Sequence, residues 1–354
     1  MSSSPPGALE GYLSRATGVG IDIRDGLIRD GYVVVRGVFS RSECAEQLER
    51  MWDFVEASSG GRVCRSDARS WYPPAGPGSG PDPWPHSGWK SFSDMFQTRG
   101  AGWVFCGLRE TLADRVFAPL WGTRLLHCSK EGFTFLRPTR GGLHPSAFRP
   151  LHVCGKPQPE SSGEHFDQGA SESGLCYVQS STCLVDQGDT DACFLCWPGS
   201  HRMHAATVST TYRGQRSSWV PLTGDELQTF RDSGLHPVRV PVGAGDVVLW
   251  RSDLAHAAAP PMEESSNLRA VVFAAMLPAS LTPDHVLPLK RRAYEEARTG
   301  DHGANRESWH ADKGLRAEGE DGFTLVPPPK LTLGQAQLHG VAPYDEELPR
   351  PPWD

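Results

Sequence analysis

The sequence has no long apolar run. Its longest clean stretch, Val271 to Leu277, is far too short to cross a bilayer. The opening residues, Met1-Ser-Ser-Ser-Pro-Pro, lack the charged-then-apolar layout of a secretory signal. The nine cysteines are an odd number scattered from Cys44 to Cys196, which argues against a disulfide framework and for a reducing, cytoplasmic setting. Cys193-Phe-Leu-Cys196 has no second pair at zinc-ribbon spacing and sits in an apolar run, so it reads as two core thiols. Basic residues are dispersed and the net charge is −7, which leaves no nucleic-acid footprint. There is no internal repeat. What the chain does hold in excess is 38 Gly and 30 Pro among 354 residues, a content that disfavours a helix bundle and favours short strands joined by loops.

Residues 1–20 read as a flexible lead-in. Gly31-Tyr-Val-Val-Val-Arg36 is a short β-branched strand. Ser40 and Glu43 have capping-box spacing, and Cys44, Leu48, Met51, Trp52 and Val55 follow at helical intervals to about residue 57. Residues 60–89 are mostly turn residues, with Trp71, Tyr72, Trp84 and Trp89 fitting either a lid or surface packing. A second helix fits 107–120. Beyond it lie β-type runs at Leu125–Leu136, Leu175–Val185, Ala192–Cys196, Val238–Val242, Asp246–Trp250 and Leu268–Met276, a spacing that predicts a sandwich or barrel. After Pro278 the chain turns polar, with one helix near Lys290–Arg298 whose Lys290-Arg291-Arg292 cluster reads as a solvated face.

The sharpest local feature is Gly163-Glu-His165-Phe-Asp167-Gln. Residues i and i+2 of an extended segment project to one face, so His165 and Asp167 could hold one metal ion together. His256, in Trp250-Arg-Ser-Asp-Leu-Ala-His256 just after a predicted strand, would complete a two-His-one-carboxylate triad that leaves three positions open on Fe(II). A second His-x-Asp, His310-Ala-Asp312, lies in the polar C-terminal part and reads as an exposed loop or helix start. Arg269 enters the apolar run Leu268–Met276, and a buried guanidinium needs an anionic partner. That partner is either the distal carboxylate of a 2-oxo diacid or a structural ion pair, unless Arg269 lies at an edge position. His201 reads as an orienting histidine, and His127, His144 and His152 as surface or core histidines, with His152 also able to line a pocket.

Together Asp30-Gly-Tyr-Val-Val-Val-Arg-Gly-Val38, His165-Phe-Asp167-Gln, Trp197-Pro-Gly-Ser-His201 and Gly245-Asp-Val-Val-Leu-Trp250 leading to His256 resemble the phytanoyl-CoA dioxygenase family of Fe(II)- and 2-oxoglutarate-dependent oxygenases. The resemblance spans roughly residues 21–280. It implies a mainly β fold with flanking helices, a double-stranded β-helix or jelly-roll barrel. It implies His165, Asp167 and His256 as iron ligands, Arg269 as the anchor of 2-oxoglutarate, and Gln179 as a cosubstrate-lining side chain. On that basis the chain divides into the lead-in 1–20, an oxygenase domain 21–284 (helical part 21–120, barrel 121–284) and a polar extension 285–354. The implied activity uses O2 to hydroxylate or otherwise oxidise an aliphatic carbon of a small-molecule or lipid-like substrate, releasing succinate and CO2. Because the carboxylate ligand is present, hydroxylation is favoured over halogenation. A non-catalytic barrel of the same ancestry, binding a ligand or partner in its cavity, is the alternative. Neither substrate nor oligomeric state is legible.

Overall fold

The computed structural model describes residues 8–72, 81–86, 94–138, 163–211, 219–259, 261, 265, 267–300, 302–306 and 317–345. Twelve strands run through them: β1 Tyr32–Val35, β2 Met95–Phe96, β3 Leu126–Cys128, β4 Phe133–Leu136, β5 His165–Phe166, β6 Val178–Cys183, β7 Cys193–Cys196, β8 Val220–Pro221, β9 Val238–Val240, β10 Val247–Arg251, β11 His256–Ala259 and β12 Arg269–Pro278. One sheet is ordered β1-β10-β6-β12-β4-β2, with β3 also on β12, and the other β8-β5-β11-β7-β9. Pairing is antiparallel throughout. From β4 onward the chain passes back and forth between the sheets: β4, β6, β10 and β12 lie in the larger, β5, β7 to β9 and β11 in the smaller. This is the winding expected of a double-stranded β-helix.

Strand alternation decides what lies between the sheets. Val248, Trp250 and Val271 turn inward to meet Cys183, Phe194, Cys196 and Val240 in one apolar layer. Their sequence neighbours Val247, Leu249, Ala270 and Val272 turn outward and pack with Ile23, Leu27, Met51, Phe54 and Leu112. Those partners belong to the helices Val19–Arg29, Arg41–Ser58 and Cys106–Leu112 that cover the larger sheet. The smaller sheet has its own cover, in which Phe166, Trp197 and Ala255 meet Val208, Leu227 and Phe230.

The helix Arg41–Ser58 carries the expected capping box, Ser40 accepting from the Glu43 N–H while Glu43 accepts from that of Ser40. Two expected elements are broken. The run 107–120 is a helix interrupted by a wide turn at Ala113–Phe117, where the Ala118 N–H reaches back to the Ala113 carbonyl. Pro119 follows at once; it has no N–H to donate and its ring crowds the preceding turn. The run 125–136 is two strands: at Ser129 the N–H still donates to the Ala275 carbonyl, but the side-chain hydroxyl takes the Ala275 N–H that a strand carbonyl would accept. Gly132 then lets the Phe96 carbonyl approach to within 1.6 Å of where a Cβ would stand.

Inside the stretch expected as a lead-in, Ala8–Leu13 is helical, with Leu9, Tyr12 and Leu13 buried in the core. Lys290 turns inward from the helix Leu287–Glu295, away from the solvated face expected of it, and donates to the Cys128 carbonyl at 3.1 Å. Burial pushes its amine down to about 8. Arg292 does stay outside, paired with Glu296.

Of the aromatics described in the loop 60–89, Tyr72 and Trp84 are buried and Trp71 is half-buried against the core. Trp52 on its helix packs against Trp71, Trp84 and Phe135 with ring centroids 5.0, 5.9 and 4.6 Å away. Trp89 lies outside the described residues. Arg137, just past β4, clamps this region. Its fully buried guanidinium meets Asp82 at 2.9 Å and Asp94 at 2.8 Å and lies over the Trp84 ring. Replacing Arg137 with Leu would strand two carboxylates, and the expected loss is about 3–5 kcal/mol of unfolding free energy, read by urea denaturation.

Candidate metal centre

The smaller sheet brings the two candidate histidines together. His165 on β5 and His256 on β11 are register partners, and their ring centroids lie 4.5 Å apart. Asp167 follows β5 and is held by its N–H to the Ser252 carbonyl, at 3.1 Å. Its carboxylate stands 3.6 Å from His165 Nε2 and 3.1 Å from His256 Nε2. One ligand atom from each of the three lies within 4.8 Å of the others.

The outer face of each ring fixes what the inner face offers. His165 Nδ1 lies 2.8 Å from the Gly163 carbonyl, and His256 Nδ1 lies 2.9 Å from the Leu254 carbonyl. A carbonyl only accepts, so both rings carry a proton on Nδ1 and turn Nε2 toward Asp167 as the nitrogen a metal would take. Burial pushes His165 down to about 4 against the pull of Asp167. Burial would raise the Asp167 carboxyl, but His302 and His165, together with hydrogen bonds from His256 and His302, hold it well below the usual carboxylate range. Two imidazole nitrogens and one carboxylate are the donor set that suits a divalent iron.

Asp167 has further partners. Gln179 Nε2, on β6, donates to its second oxygen at 2.9 Å, and the Tyr177 hydroxyl donates to its backbone carbonyl. Gln179 thus meets the carboxylate directly. His302 was not singled out by the sequence, yet its Nε2 lies 3.2 Å from Asp167 Oδ1 and its Nδ1 lies beside Glu131. Burial works against charge on that ring, but Asp167 and Glu131 hold it well above the ordinary histidine range. Only adjacency to an acidic residue marks His302 in the sequence, and Glu131 is 171 positions away.

Arg269 opens β12 and shares its inward face with Val271. It is 5% exposed, its Nε has no hydrogen-bond partner, and no carboxylate faces its charge among the described residues. Burial pulls its guanidinium below the ordinary range, with only the Cys183 and Cys193 thiols nearby to oppose this. Cys193 is the register partner of Ala259, three residues along β11 from His256, or roughly 10 Å of strand.

The remaining candidates lie elsewhere. His201 packs on Gly31, where φ is +84° and a Cβ would come within 2.6 Å of its ring, and it bonds to the backbone of Ile28. His204 meets the Gln168 carbonyl at 3.0 Å, and His127 meets Thr282 at 2.7 Å. Cys193 and Cys196 are buried on β7. His144, His152, His310 and Asp312 lie outside the described residues. No helix among the described residues is long and apolar enough to cross a membrane.

Fold and site together define a two-sheet β-helix protein with a His–Asp–His cluster at one end. Residues 165–266 match the family model described as Phytanoyl-CoA dioxygenase (PhyH), so the region that holds all three cluster residues is PhyH-like. No curated protein matches the sequence. Among solved structures, the epimerase SnoN in complex with Fe3+, alpha ketoglutarate and nogalamycin RO is similar at 18% identity, covering 74% of this chain and 84% of its own, with a TM-score of 0.43. EctD from S. alaskensis with 2-oxoglutarate and 5-hydroxyectoine is similar at 13% identity, covering 82% and 85%, with a TM-score of 0.44. AviO1 from Streptomyces viridochromogenes Tue57 is similar at 18% identity, covering 74% and 95%, with a TM-score of 0.41.

The cluster should bind one equivalent of Co(II) or Fe(II) under anaerobic titration. Asp167→Ala is expected to weaken that binding by more than the roughly 10–100-fold typical of changes outside the ligand set.

Proposed function

We propose that this protein is an Fe(II)- and 2-oxoglutarate-dependent oxygenase that oxidises an aliphatic carbon of a small molecule. The observation that carries the reading is the donor set: two imidazole nitrogens and one carboxylate lie together in the PhyH-like region, with both Nδ1 atoms held by carbonyls. His165, Asp167 and His256 would hold the iron. With iron and 2-oxoglutarate bound, the centre supplies oxidation by O2 as the cosubstrate loses CO2 and becomes succinate.

The residues of the chain have separate tasks. The Gly163 and Leu254 carbonyls keep both imidazoles in the tautomer that presents Nε2. Gln179 fixes one oxygen of Asp167. Arg269, buried without an anionic neighbour, is suited to take the distal carboxylate of 2-oxoglutarate through two parallel hydrogen bonds. With Asp167 filling the third protein position, the place a halide would need is taken, which favours hydroxylation.

Anaerobic addition of Fe(II) and 2-oxoglutarate should produce the weak visible charge-transfer band of the chelate, absent in Asp167→Ala. Arg269→Gln should need at least ~30-fold more 2-oxoglutarate to reach half the band, the loss expected when one partner of a buried charged pair is removed. If wild type and Asp167→Ala are alike in lacking the band, a non-catalytic ligand-binding barrel is the better description.

A further inference from the structure

We propose that His302, carried by the segment 302–306 beyond the last barrel strand, is a positioning residue that fixes the orientation of the Asp167 carboxylate at the metal centre. The inference rests on reading His165, Asp167 and His256 as the metal ligands.

The segment is built to hold one ring in one place. His302 Nε2 donates to Asp167 Oδ1 at 3.2 Å, while its Nδ1 donates to Glu131 Oε1. Glu131 is itself pinned: its side chain is 2% exposed, its second oxygen accepts from the Ser129 hydroxyl at 2.7 Å, and that hydroxyl accepts from the Ala275 N–H of β12 at 2.9 Å. Arg109 donates to the Glu131 backbone carbonyl. On its open face His302 stacks on Tyr177, with centroids 6.5 Å apart and planes at 28°. Arg306, four residues on, lies 5.0 Å over the same Tyr177 ring and pairs with Glu172. The Lys130 carbonyl accepts the Gly300 N–H at 3.0 Å on the approach to the segment. Anchors on both sides therefore set where the imidazole stands.

The consequence falls on Asp167. Gln179 donates to Oδ2 and His302 to Oδ1, so each carboxylate oxygen has its own N–H donor from a different part of the fold. A carboxylate held by both oxygens cannot turn freely toward a metal. His302 acts as a donor to a ligand and not as a fourth ligand, because it falls outside the set of atoms within 4.8 Å of one another. Partners of this kind commonly change metal affinity by about 10–100-fold.

The test uses Co(II) as the probe metal on the full chain, with affinity and the visible d–d spectrum as readouts and melting of the metal-free protein as the control for folding. Three variants separate the two ends of the ring. His302→Gln places its amide nitrogen where Nε2 stands and keeps the donor to Asp167. His302→Asn places its nitrogen where Nδ1 stands and keeps only the contact with Glu131. His302→Leu keeps neither. The proposal expects the Gln variant to bind Co(II) close to wild type with the same spectrum. It expects the Asn and Leu variants to bind about 10–100-fold more weakly with an altered spectrum. Wild-type affinity and spectrum in the Asn variant would overturn it, as would equal losses in the Gln and Asn variants that track their melting temperatures. If wild type binds no Co(II), or Asp167→Ala binds it equally well, the metal centre itself has been misread and the role of His302 falls with it.

Discussion

A buried carboxylate governs this structure. Asp167 is 2% exposed, and an ionised group so far from water is tolerated only when paired and hydrogen-bonded. Its partners come from four places: His165 on β5, Gln179 on β6, His256 on β11 and His302 beyond the last strand. Only a fold that returns to the same end of the barrel from each of these elements can satisfy it. The alternation of strands between two sheets does this, since each passage of the chain brings a strand end back to that end.

Electrostatics and packing divide the interior. Near the cluster, Trp250 and Phe194 set aromatic faces 5.4 and 5.7 Å from the His256 ring, which limits where that imidazole can tilt. Farther along the same space Arg269 holds a positive charge with no negative one beside it. Across an apolar middle from the Asp167 cluster, the Arg269 end therefore carries an unsatisfied positive charge, which an anionic group beside it would neutralise.

Much of this is legible in the sequence, for identifiable reasons. His165 and Asp167 are visible because two-residue spacing in an extended segment is a purely local geometry. His256 and Arg269 are visible because each sits at the end of an apolar run whose period and punctuation mark a strand. The helix Arg41–Ser58 announces itself by its cap. The legible strands are long or carry bulky apolar residues between turn signals; β5 and β8 are only two residues each, β11 is alanine-rich, and these exist because neighbours pair with them. Likewise 125–136 looks continuous because nothing local shows that Ser129 will bond to a strand far along the chain. His302 is the deepest omission. Its role depends on Glu131, on Tyr177 and on Asp167, three residues distant in sequence, and no periodicity in a polar stretch can report contacts of that kind.

That late position has a consequence for how the protein is made. A chain emerging N-terminus first releases β4 to β12 before His302. The barrel can close while Asp167 has only His165, His256 and Gln179 around it. The contact between Glu131 and His302 joins residues 171 positions apart and forms only once the segment after β12 is available. On the proposed reading, an ion that arrived before that contact formed would meet a carboxylate held on Oδ2 by Gln179 and still free of His302 on Oδ1.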